Sequence, residues 1–181
     1  MRVPTILILS RSEAAMLLGS AAAPRPAAVL SIRGPHEPRL EVPPDVTHRL
    51  ELVFDDVDVP VPGDELGALE ARARQRWAAQ TGRPLVPPSA VDVDRVIVFA
   101  DELRDVAGPV LFQCQAGMSR SPAAALVCLA SWTGPGHEAD CVRAVRASRP
   151  AAVPHAGLVR MGDAALGRDG ALVRALAAVP S

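Results

Sequence analysis

The chain has no lysine and no tyrosine: all 19 of its basic residues are arginine, and aromatic side chains make up 3% of its 181 residues. That bias reflects coding preference and excludes no function. Net charge is equally scarce, at a formal -1. Nothing global draws such a protein to nucleic acid or to an anionic membrane, so affinity for an anion has to come from a local site. The three cysteines, Cys114, Cys128 and Cys141, form no C-x-x-C pair, which argues against a disulfide framework and a zinc site and suits a reducing cytosol. Long apolar runs are missing too. Val3 to Leu9 is apolar, but Arg11 and Glu13 interrupt it before signal-peptide length, and no other stretch could span a bilayer. The expectation is a cytoplasmic protein with no membrane or nucleic-acid partner; its oligomeric state is left open.

What is present is apolar material for one core: 49% of the residues are hydrophobic, and the length suits a single domain over 1–181. Short apolar segments over Pro4–Leu9 and Ala27–Ile32, and the alternating Thr47–Phe54, read as strands. Ser10 with Glu13, and Ser89 with Asp92, form capping-box patterns ahead of helices, the first stopping at Gly19 and the second reaching Arg104. Proline and glycine mark both ends of 57–88, an expected helical insertion whose helix runs from Asp64 to about Gln80. Val110–Phe112 is a further strand, and Ser121-Pro122 reads as the cap and first position of the next helix. Helical pattern resumes from His137 to Ser148 and in pieces from Gly157. Strand and helix alternate, which predicts a three-layer α/β fold with a largely parallel central sheet flanked by helices. Ligands of such sheets bind beyond the carboxyl ends of the strands.

Cys114-Gln115-Ala116-Gly117-Met118-Ser119-Arg120-Ser121 lies at such an end, between strand and helix. A loop curling there can aim the N–H groups of Gln115, Ala116, Gly117, Met118, Ser119 and Arg120 at one point, where the helix dipole also favours negative charge. Gly117 supplies the backbone freedom the curl needs. Arg120 can fold over the anion and offer two parallel donors, which lysine could not. The same positive surroundings favour the thiolate of Cys114, the form that attacks phosphorus.

This C-x5-R loop followed by Ser, with Gly in its fourth position, resembles the signature of the protein tyrosine phosphatase superfamily, and the short chain is similar to its bacterial dual-specificity-like branch. The resemblance extends to the preceding helix and strand and to Phe54-Asp55-Asp56. It implies a phosphatase-like α/β fold and phosphomonoester hydrolysis through a phosphocysteine, with Cys114 as nucleophile, Arg120 on the phosphate, and Ser121 assisting departure of the thiolate. Neither a cofactor nor a metal is implied. Family members carry His before the nucleophile, where this chain has Gln113. The family's general acid is an Asp on a loop after a strand; Asp56 matches it better, Asp55 is the alternative, and Asp92 and Asp94, at a helix start, suit capping.

The implied substrate is a phosphorylated protein, phosphotyrosine or a related group, or a small phosphomonoester. No basic residue lies between Cys114 and Arg120, whereas relatives acting on inositol lipids tend to have some. Two other readings stand beside it: a phosphate-binding module without catalysis, suggested by Gln113, and sulfur transfer or arsenate reduction, which use similar loops. Cys128 and Cys141 read as core residues, His155 as a surface histidine, and Arg72, Arg74 and Arg76 as the wet face of a helix.

Overall fold

A computed structural model of the chain describes residues 3–58 and 65–179. Four strands, β1 (Ile6–Ser10), β2 (Ala28–Arg33), β3 (His48–Val53) and β4 (Val110–Cys114), form one sheet in the order β1-β4-β2-β3, every neighbouring pair parallel. The two-residue period of a strand explains how so short a sheet serves two cores. Ile6, Ile8, Leu30 and Phe112 enter the larger one, while Leu7, Leu9, Val29 and Leu111 face the other.

Helices α1 (Arg11–Gly19), α2 (Glu65–Thr81), α3 (Ala90–Glu102), α4 (Arg120–Thr133), α5 (Glu138–Ser148), α6 (Ala156–Ala165) and α7 (Ala171–Ala178) complete the described elements. On one face, α1 with Leu40 and Val46 covers the smaller core. On the other, α4 packs against β1, β2 and β4 and is itself wrapped by α3, α5 and α6. That position explains why α4 is buried from Arg120 to Trp132: a helix without a polar stripe belongs inside a core. Helix, sheet and helix make the three layers the alternation predicts.

Both capping boxes form. Ser10 Oγ accepts from Glu13 N–H at 3.3 Å while the Glu13 carboxylate accepts from Ser10 N–H at 2.7 Å, and Ser89 and Asp92 repeat the exchange. Elsewhere the boundaries move. β4 extends two residues past Phe112 because Gln113 and Cys114 still pair with Leu9 and Ser10 of β1. The Ser89-capped helix ends at Glu102, short of Arg104. Helix α4 begins at Arg120, so Ser121 lies inside its first turn and does not cap it; Pro122, also in that turn, loses no helical hydrogen bond. The helix expected from Asp64 starts at Glu65, the first described residue after 58. It stands apart from the core, with Leu69 and Trp77 exposed.

Candidate functional site

The loop Gln115–Ser119 fills the gap between the last residue of β4 and the first of α4, beside the carboxyl end of β1. Its carbonyls are tied to other segments. Gln115 O accepts from Arg11 N–H at 3.2 Å, Met118 O from Val153 N–H at 2.8 Å, Ser119 O from His155 N–H at 3.2 Å, and Ala116 O from Arg149 Nη2 at 3.2 Å. The N–H groups are not. From Gln115 to Arg120, none has an acceptor among the described residues. Gly117 makes the curl possible: its φ is +69°, and a Cβ there would lie 2.7 Å from the backbone of Leu9 and Ser10. A loop whose carbonyls are engaged while its N–H groups lack acceptors among the described residues, at the N-terminus of a long buried helix, is suited to an oxyanion.

Cys114 closes the strand, buried on the α4 side of the sheet, and its Sγ accepts a hydrogen bond from Ser121 Oγ at 3.1 Å. The start of α4 at Arg120 is what puts that hydroxyl beneath the sulfur. Gln113 also differs from the expected pattern. It is buried, and its Oε1 accepts from Ser31 Oγ of β2 at 2.7 Å, a bond that joins strands β2 and β4.

Arg120 is 4% exposed and fixed in place. Nη1 donates to Glu37 Oε2 at 3.2 Å and to Phe54 O at 3.0 Å, and Nη2 donates to Glu37 Oε1 at 3.1 Å. Nε is buried with no partner among the described residues. Of the five guanidinium donors, Nε–H and the second hydrogen of Nη2, which share an edge, therefore stay free for a two-point contact. Burial by itself raises the Glu37 carboxyl, but hydrogen bonds from Arg120 and from Gly34 N–H outweigh it and hold the group below its ordinary value. Glu37, on the proline-rich connection after β2, has no motif around it and went unmarked in the sequence.

The segment after β3 carries the carboxylates. Asp55 turns away from the loop: its Oδ2 accepts from Val86 N–H at 2.8 Å, and its own N–H donates to Val86 O at 2.6 Å. Asp56 turns toward the loop, and its Oδ1 accepts from Ser119 Oγ at 2.6 Å. Asp58 Oδ1 accepts from Gly157 N–H at 2.7 Å at the start of α6, and Asp58 O accepts from Arg74 of α2. Asp92 serves its capping box. A hollow of about 430 Å³ lies between this segment and α2, lined by Asp56, Val57, Asp58, Glu70, Ala73 and Arg74. A larger one, about 540 Å³, lies at the opposite ends of the strands between Val3 and Pro109 and is lined by none of the loop residues.

His155 is the second residue the sequence misplaced. It is not on the surface but 5% exposed, between the loop and the acidic segment. Its Nδ1 accepts from Leu158 N–H at 3.2 Å, capping α6, with Asp58 Oδ1 at 3.4 Å; its Nε2 is 3.9 Å from Asp56 Oδ1. The other two cysteines are free and buried. Burial drives the thiol of Cys128 far up, and that of Cys141 upward despite a contact with Thr133 Oγ1, which leaves both as packing groups. Among the described residues no cluster of His, Cys, Asp and Glu is arranged to hold a metal, and no helix is long and apolar enough to cross a membrane.

No protein-family model and no curated protein matches the chain in sequence. Solved structures do match in shape. Human DUSP28 superposes with a TM-score of 0.53 at 15% identity, covering 93% of this chain and 96% of its own. The Yvh1 phosphatase domain of Chaetomium thermophilum gives 0.54 at 17% identity, with 94% and 95% covered. Tk-PTP in its active form gives 0.53 at 14% identity, with 92% and 94% covered. The four-stranded parallel sheet, its two helical layers and the loop at the end of β4 thus compose the fold shared by the dual-specificity and tyrosine phosphatases.

Proposed function

We propose that the chain is a cysteine-dependent phosphatase of the protein tyrosine phosphatase superfamily, hydrolysing phosphomonoesters of the phosphotyrosine type on proteins or small molecules, in the cytoplasm. The observation that carries the reading is the polarity of the loop: no backbone donor from Gln115 to Arg120 has an acceptor among the described residues, while carbonyls around it are bound to other segments. An anion placed in that ring meets preorganised donors that need no rearrangement as charge develops. The free edge of Arg120 supports the same seat.

In the proposed sequence of steps the Cys114 thiolate attacks phosphorus in line, forming the S–P bond as the P–O bond to the leaving group breaks. Asp56 gives its proton to the departing oxygen. In the second step Asp56, now a carboxylate, takes a proton from water as that water attacks phosphorus. The S–P bond breaks, and the Ser121 hydroxyl, 3.1 Å from Sγ, donates to the returning thiolate. The hollow beside Asp56 gives the organic part of the substrate a place next to the proton donor. Asp55 is set aside as the acid because its carboxylate is engaged with Val86.

Turnover of para-nitrophenyl phosphate in the presence of a chelator tests the proposal. It is expected in the natural protein and absent from Cys114→Ser and Arg120→Ala protein, with inorganic phosphate still binding the Ser variant. Phosphate binding with no turnover in the natural protein at any pH would identify a binding module instead. Persulfide formation from thiosulfate, or arsenate-dependent thiol oxidation, would point to sulfur or arsenate chemistry.

A further inference from the structure

We propose that His155 is the positioning residue for Asp56, a buried donor that holds the acid's carboxyl over the phosphate loop; the proposal rests on the reading of Asp56 given above. Two observations lead to it. Nδ1 is occupied as an acceptor, since the N–H of Leu158 donates to it at 3.2 Å. With Nδ1 accepting, the hydrogen of the ring sits on Nε2. That Nε2 is buried and has no hydrogen-bond partner among the described residues.

A buried donor left unpaired is unfavourable, and native structures rarely keep one without a use. Asp58 Oδ1, on the Nδ1 side of the ring at 3.4 Å, accepts from Gly157 N–H, while Asp56 Oδ1 lies 3.9 Å from Nε2. A shift of about 1 Å in the segment between Phe54 and Asp58 brings this pair to hydrogen-bonding distance. Oδ1 already accepts from Ser119 Oγ at 2.6 Å, and a carboxylate oxygen has two lone pairs, so it can keep that bond while receiving the second. The imidazole cannot follow or retreat: its backbone N–H is bonded to Ser119 O, and its ring caps α6. A fixed donor thus faces a carboxylate on a segment attached mainly through side chains. Asp58, bonded to Gly157 N–H at 2.7 Å and 3.8 Å from Arg160 Nη2, anchors the far end of that segment to the same helix.

Two substitutions separate this role from the cap. His155→Asn keeps a short acceptor for the first turn of α6, a favoured N-cap residue, but removes the donor at the Nε2 position. His155→Gln keeps an N–H near the Nε2 position and loses the short cap. The measurement is kcat/KM on para-nitrophenyl phosphate, whose leaving group departs readily, and on phenyl phosphate, whose leaving group needs a proton, with Asp56→Asn as the reference. The expected pattern for His155→Asn is a loss of about tenfold on phenyl phosphate and within about twofold on para-nitrophenyl phosphate, with His155→Gln close to the natural protein on both. In the Asp56→Asn background, His155→Asn should change neither rate. Equal loss on the two substrates, no loss on either, or a larger selective loss in His155→Gln overturns the proposal. If Asp56→Asn itself shows no preference between the leaving groups, the assignment of the acid fails first; if it does and His155→Asn does not, only the role of His155 fails.

Discussion

The phosphate loop and the acidic segment facing it are built in opposite ways. The loop is held by its backbone: the carbonyl of Gln115 is bonded to Arg11, and those of Ala116, Met118 and Ser119 to Arg149, Val153 and His155 on the stretch between α5 and α6. The segment from Asp55 to Asp58 is held largely by its carboxylates, one bonded to Val86, one to Ser119 and one to Gly157. Three of those four bonds run from backbone N–H groups, so most of the loop's anchoring does not depend on protonation or on rotamers; Ala116 O, held by the Arg149 side chain, is the exception. Side-chain anchoring lets a segment shift by exchanging one hydrogen bond. A fixed seat for the anion and an adjustable proton donor are what the two proposed chemical steps require.

The comparison breaks most completely at Gly117. In Gly117→Ala protein the new methyl would meet the backbone of Leu9 and Ser10 at 2.7 Å, at a φ of +69° that L-residues seldom adopt. Neither neighbour is the end of a flexible side chain, so the loop has to uncurl. The left-handed conformation alone costs about 1–2 kcal/mol, and moving two strand ends adds to it. Phosphate binding and turnover are expected to disappear together, with a lower melting temperature; near-normal inhibition by phosphate would show that the ring of donors is not the seat.

Within the acidic segment the adjacent carboxylates are expected to differ. Asp56→Asn should lower kcat by about 10²–10⁴-fold, the range for loss of a general acid, while leaving thermal stability nearly unchanged, because its partner Ser119 can reach solvent or the new amide. Asp55→Asn should do the reverse. Its carboxylate receives the Val86 N–H at 2.8 Å, and weakening that charge-assisted bond is expected to cost about 1 kcal/mol of stability with a much smaller change in rate. Paired melting curves and rate measurements on the two variants would sharpen the contrast or reverse it.

Much of the fold was legible because it depends on local rules. The short apolar runs at Pro4–Leu9 and Val110–Phe112, and the Ser10–Glu13 and Ser89–Asp92 exchanges, involve residues close together in sequence, and the structure realises them as strands and caps, with shifted ends. The arrangement of the C-x5-R loop was legible for the same reason: strand, glycine and helix are contiguous. Glu37 was not, since it meets Arg120 across 83 positions from a segment whose prolines signal only irregular backbone. His155 was hidden differently. Nothing adjacent to it in sequence reveals burial; that follows from α6 docking on α4 and from Val153 and His155 bonding the loop. The misplaced Ser121 cap shows the limit of local rules, because a hydroxyl at a helix start can be taken up by a neighbouring sulfur instead.

The smallest expected effect concerns the outer brace of the loop. Glu13 accepts from Arg149 Nη1 at 2.9 Å, and Arg149 Nη2 holds Ala116 O, so one carboxylate links the first capping box to the phosphate loop. Hydrogen bonds from the Ser10 side chain and backbone, then from Arg149, lower the Glu13 carboxyl from 4.5 to about 2. Glu37, also lowered, acts in the same direction on the other side of the loop. A carboxyl depressed in the folded state contributes stability above its unfolded value, and that contribution fades as pH falls from about 4.5 toward 2. Glu13 is 43% exposed, so solvent screening keeps its share to less than about 1 kcal/mol. Melting temperature should therefore be flat above about pH 5.5 and decline below 4.5, with a shallower decline in Glu13→Gln protein and a shallower one again when Glu37→Gln is added. An unchanged acid slope in both variants would mean that the carboxylates around the loop do not brace it.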